Sequence, residues 1–175
     1  MTLNAPGTCC FKGVKHEGQP RGCIESVGET EAYVSEPTSA VASNGYGILY
    51  LTDIIGHQFV NAQLLADAYA ENGYVVLMPD LFHDDPVPLN ADMATFSIPT
   101  WMQGGLWREE NSHIPQTVDP IVDACINTLQ QKYDCKGVTH GFVVRADLKV
   151  RVQRYAKESA LFEALQWLEE HLREE

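Results

Sequence analysis

Tyr46-Gly47-Ile48-Leu49-Tyr50-Leu51-Thr52 is a nearly continuous apolar run. A strand reads this way when a sheet buries both of its faces, as parallel sheets do. The run closes in Asp53-Ile54-Ile55-Gly56-His57. Beyond it, Phe59, Ala62, Leu64, Leu65, Ala68 and Tyr69 recur at helical spacing, and Asn72-Gly73 stops the pattern. Tyr74-Val75-Val76-Leu77-Met78 follows at once as a second buried strand, halted by Pro79. Strand, helix and strand at this spacing make a βαβ unit with a right-handed crossover. The fold class is therefore α/β.

Working outward toward the N-terminus, Glu36 to Gly45 is a loop, with Pro37 near its start and Asn44-Gly45 at its end. Before it, Gly22–Ser26 and Thr30–Ser35 read as an antiparallel hairpin at a sheet edge. Residues 1–20, rich in Gly, Pro and polar side chains, form an irregular lead-in.

Toward the C-terminus, Pro79 to Pro115 has no clean period. Such a stretch covers a site or carries a short helix. Its Trp101 and Trp107 could wall a substrate or pack the segment on the core. His83-Asp84-Asp85 lies in it and reads as loop rather than metal site, since adjacent residues rarely point at one ion. Thr117 to Gln131 reads as a helix capped by Thr117, with Pro120 tolerated near its start and Ile121, Val122, Cys125, Ile126 and Leu129 on one face. Gly137 to Arg145 reads as a short turn exposing His140, a good place for a general base. A last helix spans about Val150 to His171, with Tyr155, Phe162, Leu165, Leu168 and Leu172 as its apolar stripe.

The chain has 175 residues, enough for one domain with a sizeable core. Its formal net charge of −12 argues against nucleic acid and against docking on anionic lipid. No run of apolar residues is long enough for a membrane span, and the first residues do not read as a signal peptide. Five cysteines without framework spacing point to reduced thiols in the cytoplasm, and no metal or other cofactor is expected.

Several segments together resemble the dienelactone hydrolase family, in its fungal branch. They are Cys9–Gly13, Leu51–His57, Asn61–Asp67, Tyr74–His83 and Thr139–Arg145. The resemblance implies a three-layer α/β-hydrolase fold and a Cys-His-Asp triad that opens esters or lactones. It implies that His140 is the triad histidine and that Asp53 is an acidic residue beside the nucleophile. It further implies the backbone N–H of Ile54 as an oxyanion-hole donor and Arg145 as a contact to a substrate carboxylate. His83 stands where bacterial members carry a second substrate-binding arginine.

The family's nucleophile elbow is Gly-x-Cys-x-Gly, and this chain contains neither that pattern nor Gly-x-Ser-x-Gly. Lys132-Tyr133-Asp134-Cys135-Lys136 runs straight into Gly137-Val138-Thr139-His140. The expectation is one domain over residues 1–175, internally truncated at a seam near 135–137, that keeps an N-terminal hairpin, the βαβ unit and two further helices. Loss of central strands would leave a hydrophobic strand edge open to self-association. Three functions stay open. One is an ester or lactone hydrolase with His140 as base. The second is a non-hydrolytic acid–base catalyst (an isomerase or cyclase) using His140 and Asp53 on an anionic substrate. The third is an inactive remnant.

Overall fold

The computed structural model describes residues 12–92, 94–104, 112–132, the backbone of 134–140, and residues 162, 164–166 and 168. Among the described residues, eight elements follow in chain order. They are β1 (Cys23–Val27), β2 (Thr30–Ser35), β3 (Tyr46–Leu51), α1 (Val60–Ala70), β4 (Val75–Pro79), α2 (Ile98–Met102), α3 (Pro115–Lys132) and β5 (Asp134–His140). The strands form one sheet in the order β1-β2-β4-β3-β5. The β1–β2 hairpin is antiparallel and joins β4 antiparallel, while β4, β3 and β5 run parallel. The βαβ unit and the hairpin thus stand where the hydrophobic pattern puts them.

Sheet parity fixes the layers. Tyr33 pairs with Met78 and Ser35 with Val76, so these four side chains share a face. Asp67 of α1 takes hydrogen bonds from Tyr33 and Ser35, so α1 covers that face. Val34, Val75 and Leu77 point the other way and meet Thr128 and Leu129 of α3. Helix, sheet and helix make three layers. Ile48, Leu49, Tyr50, Val76 and Met78, all fully buried, form the centre. Each such aliphatic side chain contributes about 1.5–3 kcal/mol by burial.

Helix α1 ends at Ala70, and the turn after it closes at Gly73, whose φ of +92° suits glycine and where a Cβ would lie 2.9 Å from the Ala42 carbonyl oxygen. Helix α3 begins at Pro115, not at Thr117. Proline at a first helical position costs no hydrogen bond, and the Thr117 hydroxyl turns back to the Ser112 carbonyl at 2.6 Å. In the last segment Leu168 enters the core, but Phe162 is 61% exposed, so the expected apolar stripe does not include it. Tyr155 and Leu172 lie outside the described residues.

The larger correction concerns His140. Asp134–His140 is a strand, not a turn, and His140 is its last residue. Gly137 suggests a turn, yet it stands in the ladder beside Ile48, at a register irregularity between Tyr46 and Ile48. A glycine inside a strand often marks such a spot. Cys135 likewise belongs to β5. The edge of β3 expected to lie open is covered by β5.

Candidate active site at the carboxyl edge of the sheet

Parallel strands deliver their C-terminal ends to one edge, and open α/β sheets bind ligands there. Leu51 stands beside His140 and Leu49 beside Leu77, so β3, β4 and β5 end nearly level. Asp53 and Ile54 follow β3, Asp80 and His83 follow β4, and His140 closes β5. Asp53, Ile54 and His140 therefore belong to neighbouring strand ends. His83 lies to the other side, beyond β4. Arg145 and the side chain of His140 lie outside what the structure describes.

The loop after β3 is tightly tied. Asp53 Oδ1 accepts from the Ile55 N–H at 2.9 Å, and the Asp53 carbonyl from the Gly56 N–H at 3.0 Å. The Ile54 carbonyl accepts from the Val87 N–H at 2.7 Å. Gly56 has φ +85°, and a Cβ there would lie 2.9 Å from Pro86 Cβ. The backbone around Ile54 is thus held by its own turn on one side and by residues 86–87 on the other. Behind it, burial first and Asp53 and Tyr69 next push the Tyr50 phenol well above its ordinary range. Tyr50 is therefore a neutral hydroxyl at any physiological pH.

A second group was not picked out from the sequence. His57, buried, places Nε2 3.1 Å from Glu31 Oε1 and Nδ1 3.6 Å from Asp80 Oδ1. Asp80 in turn accepts from the N–H groups of Phe82 and Asp84. Between them His83 and Asp84 adopt left-handed backbone, φ +50° and +59°. Non-glycine residues seldom do so. Glu29, Glu31, Asp80 and His83 line a cleft of ≈ 540 Å³ with Thr117 and Ile121 of α3. The only sequence signal was the polar break directly after an apolar strand, at Pro79-Asp80.

Asp85, next along this loop, points inward. Its Oδ2 lies 3.2 Å from His113 Nε2, and its carbonyl accepts from the Trp101 indole N–H at 2.9 Å. The His113 ring lies 4.3 Å from Trp101 and meets Phe82 edge-on. Trp101 is 2% exposed, which makes it a packing residue of the irregular segment. Trp107 lies outside the described residues.

Burial lowers the His113 pKa from its ordinary 6.5, against the hydrogen bond and charge of Asp85 and the charge of Asp80, with His83 adding to the lowering. A depressed folded-state value means that protonation favours the unfolded chain. The resulting stability is complete above pH 6.5 and is lost as pH falls through the folded value. Thermal melts of the wild type and of His113→Gln should therefore converge or cross on acidification below that point. A pH-independent difference between the two would contradict this.

Two of the five cysteines are described in full, and neither is a reactive thiolate. Burial pushes Cys125 up to about 11. The exposed Cys23 thiol donates to Glu25 at 3.1 Å, and that bond is the main cause raising its pKa. A thiol in either state is a poor nucleophile at neutral pH. Among the described residues no three His, Cys, Asp or Glu side chains gather as metal ligands.

An α/β sheet with a hairpin at one end, covered by helices on both faces, and with Asp53, Ile54 and His140 at its carboxyl edge defines an α/β-hydrolase-like chain. It belongs to the dienelactone hydrolase family, whose model matches residues 30–136. Over 131 residues it is 46% identical to Hydrolase tropI of Talaromyces stipitatus, spanning 75% of this chain and 50% of that one. Over 138 residues it is 39% identical to Hydrolase pyvD of Aspergillus violaceofuscus, spanning 79% and 52%. Over 124 residues it is 31% identical to the Carboxymethylenebutenolidase homolog of Mus musculus, spanning 70% and 45%. The chain thus spans about half the length of the curated relatives it matches.

Proposed function

We infer that this chain hydrolyses a small ester or lactone by acid–base chemistry, with His140 as general base and Asp53 beside it. The observation that carries the reading is the pairing of Leu51 with His140, in a chain of this family. It sets both residues on adjacent strand ends. Water is the nucleophile: His140 takes its proton, the oxygen adds to the carbonyl, and the imidazolium returns the proton to the leaving alkoxide. The Ile54 N–H faces the developing oxyanion, and Arg145 and His83 contact the substrate. Around His83 the carboxylates of Glu29, Glu31 and Asp80 disfavour a negatively charged group at that end.

Water replaces a thiolate because residues 1–175 form one domain shortened internally near 135–137. Two facts support this. No Gly-x-Cys-x-Gly separates α3 from His140, and the family match ends at residue 136. Turnover of a panel of activated esters and lactones tests the reading. Slow hydrolysis without an acyl-enzyme burst, insensitive to thiol alkylation, is expected. A burst abolished by alkylation overturns the role of water, and no hydrolysis of any substrate overturns the reading itself. The missing elbow also favours a second reading, an isomerase or cyclase using the same pair, whose product keeps the mass of its substrate. Conversion by neither route leaves an inactive remnant.

The free thiols of Cys23 and Cys125 support a reducing compartment, the cytoplasm. Among the described residues no helix is long and apolar enough to cross a membrane. Because β5 is the outermost described strand on its side, self-association shifts from β3 to that edge. Sedimentation over a wide concentration range should show growing dimer. A monomer throughout, with a sharp and concentration-independent melt, would rule it out.

A further inference from the structure

The loop that carries His83 is clamped at both ends. At its start, Asp80 accepts from the Phe82 N–H at 3.0 Å and from the Asp84 N–H, while the Asp80 N–H donates to the Glu31 carbonyl at 2.7 Å. At its end, Asp85 meets His113 at 3.2 Å, Trp101 donates to the Asp85 carbonyl at 2.9 Å, and the His113 N–H donates to the Met102 carbonyl at 2.8 Å. Leu81, Phe82 and Asp85 are buried, whereas His83 and Asp84 are exposed. Two consecutive left-handed non-glycine residues are strained. Such a conformation persists only where its surroundings over-determine it.

The His113 ring is wholly buried, and its Nδ1 has no hydrogen-bond partner among the described residues. The hydrogen-bond network therefore assigns the neutral tautomer, with Nε2–H donating to Asp85 and a bare lone pair on Nδ1. With no partner for Nδ1 among the described residues, such a buried imidazole adds little net stability. It does supply direction. Held between Trp101 and Phe82, the ring can donate along one line only, and that line ends on the loop. The α2 segment alone could not supply this rigidity, since a five-residue helix is not stable by itself.

We propose that His113 and Asp85 are positioning residues: a buried latch that holds the Asp80–Asp85 loop closed and so sets the His83 imidazole at the cleft. The latch rests on the reading of His83 as a substrate contact, but its structural half can be tested without turnover. Neither His113 nor Asp85 lines the cleft, so neither touches substrate. The latch works through the donor at Nε2, which a glutamine amide can replace.

The test compares wild type, His113→Ala, His113→Gln, Asp85→Ala and His140→Ala. It follows amide hydrogen exchange and, where hydrolysis occurs, steady-state kinetics. In His113→Ala the Asp84 amide should lose about 100-fold or more of its protection while Val76 and Leu77 keep theirs, as for a local opening. His113→Gln should restore it. The KM should rise about tenfold at nearly constant kcat in His113→Ala, the loss expected when a binding group is no longer held in place. His140→Ala should abolish kcat and leave the Asp84 amide protected, which separates failure of the hydrolase reading from failure of the latch. If His113→Ala unfolds, Asp85→Ala and His113→Gln still decide. Asp84 protection unchanged in Asp85→Ala, which removes the acceptor, overturns the latch, as does protection lost in His113→Gln while the sheet stays protected.

Discussion

Replacing Asp67 by alanine is expected to destabilise the chain more than truncating any other polar side chain among the described residues. Asp67 is 4% exposed on the inner side of α1. Its carboxylate accepts from the Arg21 N–H at 2.7 Å, the Gly22 N–H at 3.3 Å, the Tyr33 hydroxyl at 2.8 Å and the Ser35 hydroxyl at 2.6 Å. Three parts of the chain thus converge on one side chain: the lead-in, strand β2 and helix α1. The Tyr33 phenol is pushed up by burial first and by Asp67 second, so it remains a donor. Alanine would leave these donors facing a cavity. Each buried donor left without its acceptor costs about 1–3 kcal/mol, so losing several at once costs roughly 3–5 kcal/mol. That is a large share of a domain's total of roughly 5–15 kcal/mol. At about 2–4 °C per kcal/mol for a domain of this size, the melting temperature should drop by roughly 10 °C. An asparagine side chain keeps an acceptor oxygen, so Asp67→Asn should cost less. The surface pair of Arg21 with Glu71, at 3.3 Å and well exposed, should add little when removed. Thermal melts of the three variants decide. A drop of only a degree or two in Asp67→Ala would mean that water or a local shift satisfies the donors.

That hub shows where sequence reading stops. The parallel strands were legible because burial on both faces writes an unbroken apolar run, and α1 because its apolar residues repeat at helical spacing. Asp67 offered one signal, an acid lying between Leu65 and Tyr69 on a helix that is apolar almost all round. Its partners, however, lie more than thirty residues away, and no local pattern encodes such contacts. The same holds for His113 and Asp85, separated by 28 residues in a stretch without period. Strand β5 was missed for another reason. Asp134, Lys136 and Gly137 break the apolar run expected of a buried strand. Among the described strands β5 is the outermost on its side, and a strand there needs no such run. The residues of the candidate site came from family resemblance. The sheet supplies what resemblance could not, the level alignment of the ends of β3 and β5.

His140→Ala should then have the largest effect on activity of any single change. Loss of a positioned general base costs about 10²–10⁴-fold in rate. Because water attacks directly in the proposed mechanism, no covalent intermediate can absorb part of that loss. It should therefore appear in kcat and in kcat/KM alike, with KM little changed. In that mechanism His83 would contact substrate without moving its protons, so His83→Ala should behave in the opposite way, raising KM at nearly constant kcat. The pH profile separates the two histidines further. Hydrolysis by wild type should rise with a single ionisation as the base loses its proton, and that limb should vanish in His140→Ala but persist in His83→Ala. Asp53→Asn should move the limb by removing a negative charge from the neighbouring strand end, which stabilises the imidazolium. The limb should therefore shift to lower pH. Since His140 is the terminal residue of a strand, its truncation should leave the fold intact, and an unchanged melt would attribute the lost rate to chemistry. Full activity in His140→Ala would move the base to another group. His83 would then be the first to try, because it is exposed at the cleft on the same edge of the sheet.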